Sequence, residues 1–190
     1  DNCGSTHLDA LISKVKETGA DLGIAYDGDA DRCLLVTNDG DVIDGDYVLA
    51  ICGKYLKENG RLNNNAIVGT VMSNLGLRKF CESENINFVA TKVGDRYVLE
   101  EMLDKDYVIG GEQSGHVIFK EYANTGDGEL TSLMVLNILS ERKCKLSELA
   151  SIMDKYPQVL VNVNVTKEGK TSFGEDAEIN ALIKKYEEEL

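Results

Sequence analysis

The chain has 190 residues, with 20 Lys and Arg against 33 Asp and Glu, for a formal net charge of −13. A negative surplus of that size argues against nucleic acid or an acidic membrane surface as a partner, because like charges would face each other across the contact. At 43% hydrophobic and 28% charged residues the composition is that of a folded globular protein, long enough for one full domain and parts of another.

Ser5 or Thr6 is placed to cap a helix whose apolar residues Leu8, Leu11, Ile12 and Val15 recur at helical spacing, with Gly19 ending it. Strands over 22–26 and 33–37 then frame an acidic loop, and Asn38-Asp39-Gly40 predicts a tight turn before Val42-Ile43. A helix over 46–58 leads into a regular alternation: strand 66–69, helix 75–83, strand 88–91, helix 97–103, strand 107–110. Strands separated by helices predict βαβ units, and so an α/β fold: a layered α/β/α domain on a mainly parallel mixed sheet, flanked by partial domains. Beyond a glycine-rich turn, 117–119 reads as a further strand and 128–139 as a long helix. A last helix over 147–156 is closed by Pro157, the only proline, which cannot continue it. Val159, Val161, Val163 and Val165 then alternate with Gln158, Leu160, Asn162 and Asn164, predicting a half-buried strand before an acidic helix over 175–190.

Five cysteines (Cys3, Cys33, Cys52, Cys81 and Cys144) are odd in number, widely spaced and without a CxxC pair. They predict reduced, buried thiols in a cytoplasmic protein. No apolar run approaches the ~20 residues needed to cross a bilayer, and no basic-then-apolar leader precedes the first helix, so neither secretion nor a membrane anchor is expected. The chain opens on Asp1 rather than Met, and its strongest polar signal comes within the first 35 residues, so it reads as part of a longer protein.

That signal is Asp27-Gly28-Asp29-Ala30-Asp31-Arg32, directly after an apolar strand. Carboxylates converging to ~5 Å repel by roughly 3 kcal/mol per pair at an effective dielectric of 20, and something cationic must offset this. Hard carboxylate oxygens suit Mg²⁺, which takes a few of them and leaves its other positions to phosphate or water. An EF-hand also starts Asp-x-Asp-x-Asp, but it needs Gly at the sixth position and Glu at the twelfth, where this sequence has Arg32 and Asn38. An aspartate-nucleophile phosphatase of the haloacid dehalogenase type shares Asp-x-Asp after a strand, with Gly94-Asp95 and Glu100 as a faint distal echo. Asp31, however, stands where that type usually carries Thr or Val.

Three more polar loops follow predicted strands. Gly110-Gly111-Glu112-Gln113-Ser114-Gly115-His116 mixes donors and acceptors suited to a polyhydroxylated ligand. Thr91-Lys92-Val93-Gly94-Asp95-Arg96 adds two cations at a helix start. Gly69 to Asn74 is the third. Ligands of open parallel sheets gather outside the carboxyl ends of the strands, so these loops predict one shared site.

Together these stretches resemble the α-D-phosphohexomutases. The match runs in order from Asn2-Cys3-Gly4-Ser5 through 27–32, 69–77, 91–98, 110–116 and 124–128, and the wording of 93–98 and 112–116 is closest to the branch acting on glucosamine phosphates. The resemblance implies a four-domain cytoplasmic parent, with room for a homodimer, that interconverts glucosamine 6-phosphate and glucosamine 1-phosphate on the route to cell-wall precursors. A phosphoserine and a 1,6-bisphosphate intermediate would carry the phosphoryl group. Asp27, Asp29 and Asp31 would hold Mg²⁺ and Arg32 would contact phosphate. Glu112 and Ser114 would bind sugar hydroxyls, Lys92, Asp95 and Arg96 would orient the phosphorylated hexosamine, and His116 would carry a proton near the reacting hydroxyl. Residues 1–38 would end the metal-binding second domain, 39–156 form the sugar-binding third, and 157–190 open the fourth. No Thr-Ala-Ser-His-Asn-like phosphoserine loop and no Arg-x-Ser-Gly-Thr-Glu-Pro-like phosphate loop occurs in these residues, so the chain alone is expected to be inactive.

Overall fold

A computed structural model describes residues 3–189, in two compact units that divide between Tyr156 and Pro157. The first opens with helix α1 (Asp9–Thr18) and a three-stranded antiparallel sheet of β1 (Leu22–Tyr26), β2 (Cys33–Thr37) and β3 (Val42–Ile43). The expected cap on α1 is not made: Leu8 occupies the cap position without a side-chain bond, and the Ser5 N–H donates to the Tyr26 carbonyl at 3.1 Å. That backbone contact holds the chain against the end of β1, three residues before the cap position at Leu8.

The alternating segment builds the main sheet. Helix α2 (Gly45–Glu58), strand β4 (Ala66–Thr70), helix α3 (Leu75–Ser83), strand β5 (Asn87–Thr91), helix α4 (Asp95–Asp104) and strands β6 (Ile109–Gly111) and β7 (Val117–Phe119) follow in order. The sheet order is β5-β4-β6-β7, with β4 parallel to both β5 and β6, and β7 antiparallel to β6. Helices α5 (Gly128–Arg142) and α6 (Leu146–Ala150) complete the unit.

Strand periodicity sorts the core into two layers. Ile67, Ile109, Val117 and Phe119 join the larger cluster with Leu49, Ile51, Leu77 and Ile138 from α2, α3 and α5, whereas Val68 and Ile118 face Val98 and Met102 of α4. Each such fully buried side chain contributes roughly 1.5–3 kcal/mol, and the sheet is covered on both faces in a layered α/β/α arrangement.

The helix expected to reach residue 156 stops at Ala150. Long-range polar contacts hold the following residues off helical geometry: Lys155 Nζ pairs with Asp44 Oδ2 at 2.6 Å. The Asn74 amide accepts from the Tyr156 N–H at 2.9 Å and donates to its carbonyl at 2.8 Å. Asn74 also caps α3 by accepting from the Gly76 N–H at 2.9 Å.

The second unit contains α7 (Lys167–Ser172) and α8 (Ala177–Glu189), the latter standing where an acidic helix was expected. Leu190 and the first two residues lie outside the described ones. The strand expected over 159–165 is not formed, and Val159 is 84% exposed. An alternating segment becomes a strand only when a neighbour accepts its backbone hydrogen bonds, and none does so among the described residues. Among the cysteines, Cys33, Cys52 and Cys81 are buried and all five are unpaired as expected, but Cys3 is exposed and Cys144 only partly covered. No helix among the described residues is long and apolar enough to cross a membrane.

Candidate active site

The acidic loop closes the β1–β2 hairpin at the Tyr26–Cys33 pair. Its fold is set by its own backbone: the Ala30 N–H donates to the Asp27 carbonyl at 3.3 Å and the Arg32 N–H to Asp27 Oδ1 at 3.2 Å, with Ala30 at φ 59°. One carboxylate oxygen from each of Asp27, Asp29 and Asp31 lies within 4.8 Å of the others. Arg32 offsets part of the repulsion, its Nε standing 3.8 Å from Asp27 Oδ2 and 3.9 Å from Asp31 Oδ1.

The acids do not share the loop equally. Burial works against the charge on Asp27, but the Arg32 N–H and the Arg32 charge outweigh it and hold this carboxyl below its usual range. At Asp31, burial and the neighbouring Asp27 prevail over the hydrogen bond from His116, and the carboxyl is pushed up. Asp31 Oδ1 is buried and finds no hydrogen-bond donor among the described residues. An orphaned oxygen in a cluster of three acids fits a hard divalent cation such as Mg²⁺.

The hairpin does not belong to the main sheet, so the expected single rim is assembled from two sheets. Backbone contacts bring them together: the Cys33 N–H donates to the Gly115 carbonyl at 3.1 Å, and the Gly128 N–H, opening α5, donates to the Ala30 carbonyl at 2.8 Å. Gly115 is required there, because its φ is +97° and a Cβ would stand 2.5 Å from the Cys33 carbonyl oxygen. Tyr26 and Ser132 hydroxyls, 2.7 Å apart, tie the end of β1 to α5.

The turn after β6 is closed by the Glu112 N–H donating to the His116 carbonyl at 2.9 Å and the Gly115 N–H to the Glu112 carbonyl at 3.0 Å. Glu112 Oε1 accepts from the Gly94 N–H at 2.9 Å, joining this turn to the loop after β5. Ser114 is exposed at the tip. Lys92, Asp95 and Arg96 are exposed at the start of α4, with Lys92 Nζ 5.9 Å from the Tyr97 ring centre and Arg96 Nε bonded to Glu100 at 2.7 Å.

His116 stands at the end of this turn, against the acidic loop. It is 3% exposed, its Nδ1 is 3.0 Å from Asp31 Oδ2, and its Nε2 accepts from the Gly126 N–H at 3.0 Å. Through these two contacts the ring joins the acidic hairpin to the stretch that opens α5. Its partner Gly126 carried no signal in the sequence beyond membership of the 124–128 stretch. Asp46 was missed altogether: it is 0% exposed, Oδ2 accepts from the Asn74 N–H at 2.7 Å, and burial first, with Asp44 adding to it, pushes its carboxyl up to about 6.

An acidic hairpin clamped to the polar turn of an α/β/α domain defines a class. The chain belongs to the phosphoglucomutase/phosphomannomutase family, whose alpha/beta/alpha domain II matches residues 2–40 and domain III residues 44–156. Among curated relatives, the phosphoglucosamine mutases of Clostridium novyi and Clostridium acetobutylicum are each 56% identical over 189 residues, covering 100% of this chain and 42% of theirs. The chain thus spans under half the length of these relatives. Of solved structures, a phosphoglucomutase/phosphomannomutase family protein from Burkholderia thailandensis is 28% identical with a TM-score of 0.68, over 80% of this chain and 32% of its own. The Aspergillus fumigatus N-acetylphosphoglucosamine mutase, solved with GlcNAc-6P and magnesium, shares the fold at 19% identity and a TM-score of 0.69, over 87% of this chain and 42% of its own.

Proposed function

We propose that the chain is the metal- and sugar-binding part of a phosphoglucosamine mutase that interconverts glucosamine 6-phosphate and glucosamine 1-phosphate. In this reading residues 1–38 end the metal-binding domain, 39–156 are the sugar-binding domain and 157–190 begin a further one. The observation that carries the reading is the acidic cluster, with oxygens within 4.8 Å and Asp31 Oδ1 orphaned, clamped against the Glu112 turn. Identity of 56% to the two clostridial phosphoglucosamine mutases supports the choice of sugar.

Asp27, Asp29 and Asp31 hold Mg²⁺, which when bound supplies positive charge to offset that of a phosphoryl group in transit. Arg32, exposed beside the cluster, binds a phosphate oxygen. Glu112 accepts a hydrogen bond from a sugar hydroxyl through the oxygen not engaged by Gly94, and Ser114 exchanges one at the tip of the turn. Lys92 and Arg96 attract the distal phosphate, and Asp95 orients the ring. In the full enzyme the P–O bond to a serine would break as one to the sugar forms, the proton of the sugar hydroxyl ending on the serine oxygen, to give the 1,6-bisphosphate; the second phosphoryl group would then return to the serine as its proton goes back to the sugar oxygen. No phosphoserine-type loop is present within these residues.

Calorimetry of this chain with Mg²⁺ and then glucosamine 6-phosphate tests the reading. Both should bind, and a coupled assay with bisphosphate activator should show no turnover. Metal binding without sugar binding would favour a noncatalytic module, and turnover would place a nucleophile inside these residues. The aspartate-nucleophile phosphatase is not favoured: Asp27 opens a loop between antiparallel strands, and both the family match and the curated relatives point to mutases.

A further inference from the structure

We propose that His116 is a positioning residue that fixes Asp31 for metal binding and ties the metal hairpin to the sugar turn. The inference rests on the metal reading above. A backbone N–H can only donate, so the Gly126 N–H at 3.0 Å requires a lone pair on His116 Nε2. The neutral ring then carries its hydrogen on Nδ1, where Asp31 Oδ2 accepts it at 3.0 Å. Asp31 is thereby divided: one oxygen is held by the ring, and the other, buried and without a donor among the described residues, is presented to the cluster. Carboxylates that ligate metals are commonly held by such outer partners, whose loss weakens metal binding roughly 10- to 100-fold.

The ring itself is well fixed. It is 3% exposed, and a Cβ on Gly126 would stand 2.5 Å from its Cε1, so only glycine leaves room for it. Its carbonyl accepts from the Glu112 N–H at 2.9 Å, and the preceding Gly115 carbonyl accepts from the Cys33 N–H at 3.1 Å. His116 therefore stands in the turn that carries Glu112 and Ser114 while its ring holds a side chain of the hairpin.

Mn²⁺ binding to the full chain, followed by electron paramagnetic resonance, separates the two readings. If the native chain binds no Mn²⁺, the metal assignment fails. If it binds, His116→Phe should raise the dissociation constant roughly 10-fold or more, and His116→Gln, which can both donate and accept, should recover most of it. Native-like affinity in a folded His116→Phe protein would overturn the positioning role. Should His116→Phe not fold, nitrogen NMR of the native ring decides: hydrogen on Nδ1 and a bare Nε2 is expected, and the opposite tautomer would refute the proposal.

Discussion

Asp46 makes stability depend on pH in an unusual direction. Its carboxyl lies at about 6 in the folded chain against an ordinary value of 3.8, because the side chain is wholly buried and Oδ1 has no hydrogen-bond donor among the described residues. A group raised in the folded state holds its proton more tightly there, so its contribution is fully present below the unfolded value and is lost as pH rises through the folded one. The gap of about two pH units corresponds to about 3 kcal/mol in all, of which roughly 1 kcal/mol is lost between pH 5 and pH 7.5. Asp46→Asn removes the titration and keeps an acceptor for the Asn74 N–H. Urea unfolding of both proteins at the two pH values should therefore show the native chain losing roughly 1 kcal/mol more than the variant over that interval. Because the substitution removes this carboxyl alone, the difference isolates Asp46. Equal losses would refute the assignment.

Asp29→Asn should weaken Mg²⁺ binding on the order of tenfold, read by calorimetry, with little effect on melting temperature, since Asp29 is exposed. Gly115→Ala should cost roughly 1–3 kcal/mol in urea unfolding, from strain at φ +97° and the clash with the Cys33 carbonyl. It should also weaken metal binding by shifting the hairpin. Glu112→Gln retains an acceptor for the Gly94 N–H, so stability should hold within about 0.5 kcal/mol while calorimetric affinity for glucosamine 6-phosphate falls.

Local pattern carried much of this structure. Leu75–Ser83 and Val117–Phe119 fall where apolar spacing puts them, because each side chain's burial is set by its own period. The acidic loop was equally visible, since its residues are contiguous. What lay out of sight was long-range. The partners of His116 are Asp31 and Gly126, 85 and 10 residues away, and a residue type shows neither which nitrogen is engaged nor by what. Lys155 and Tyr156 carry helix-compatible side chains, yet Asp44 and Asn74 recruit them into another geometry. The valines over 159–165 have the right alternation, but a strand is a property of two segments, and one sequence pattern describes only one.

The Asn74 amide meets both the N–H and the carbonyl of Tyr156, much as one rung of a ladder would. The last residue of the first unit is therefore riveted to the start of α3, next to the loop that follows β4. In an optical-trap experiment, tension applied from beyond Pro157 would be borne by that rivet before it reached α6. Asn74→Ala should lower the force of the first rupture and let residues 151–156 peel away early.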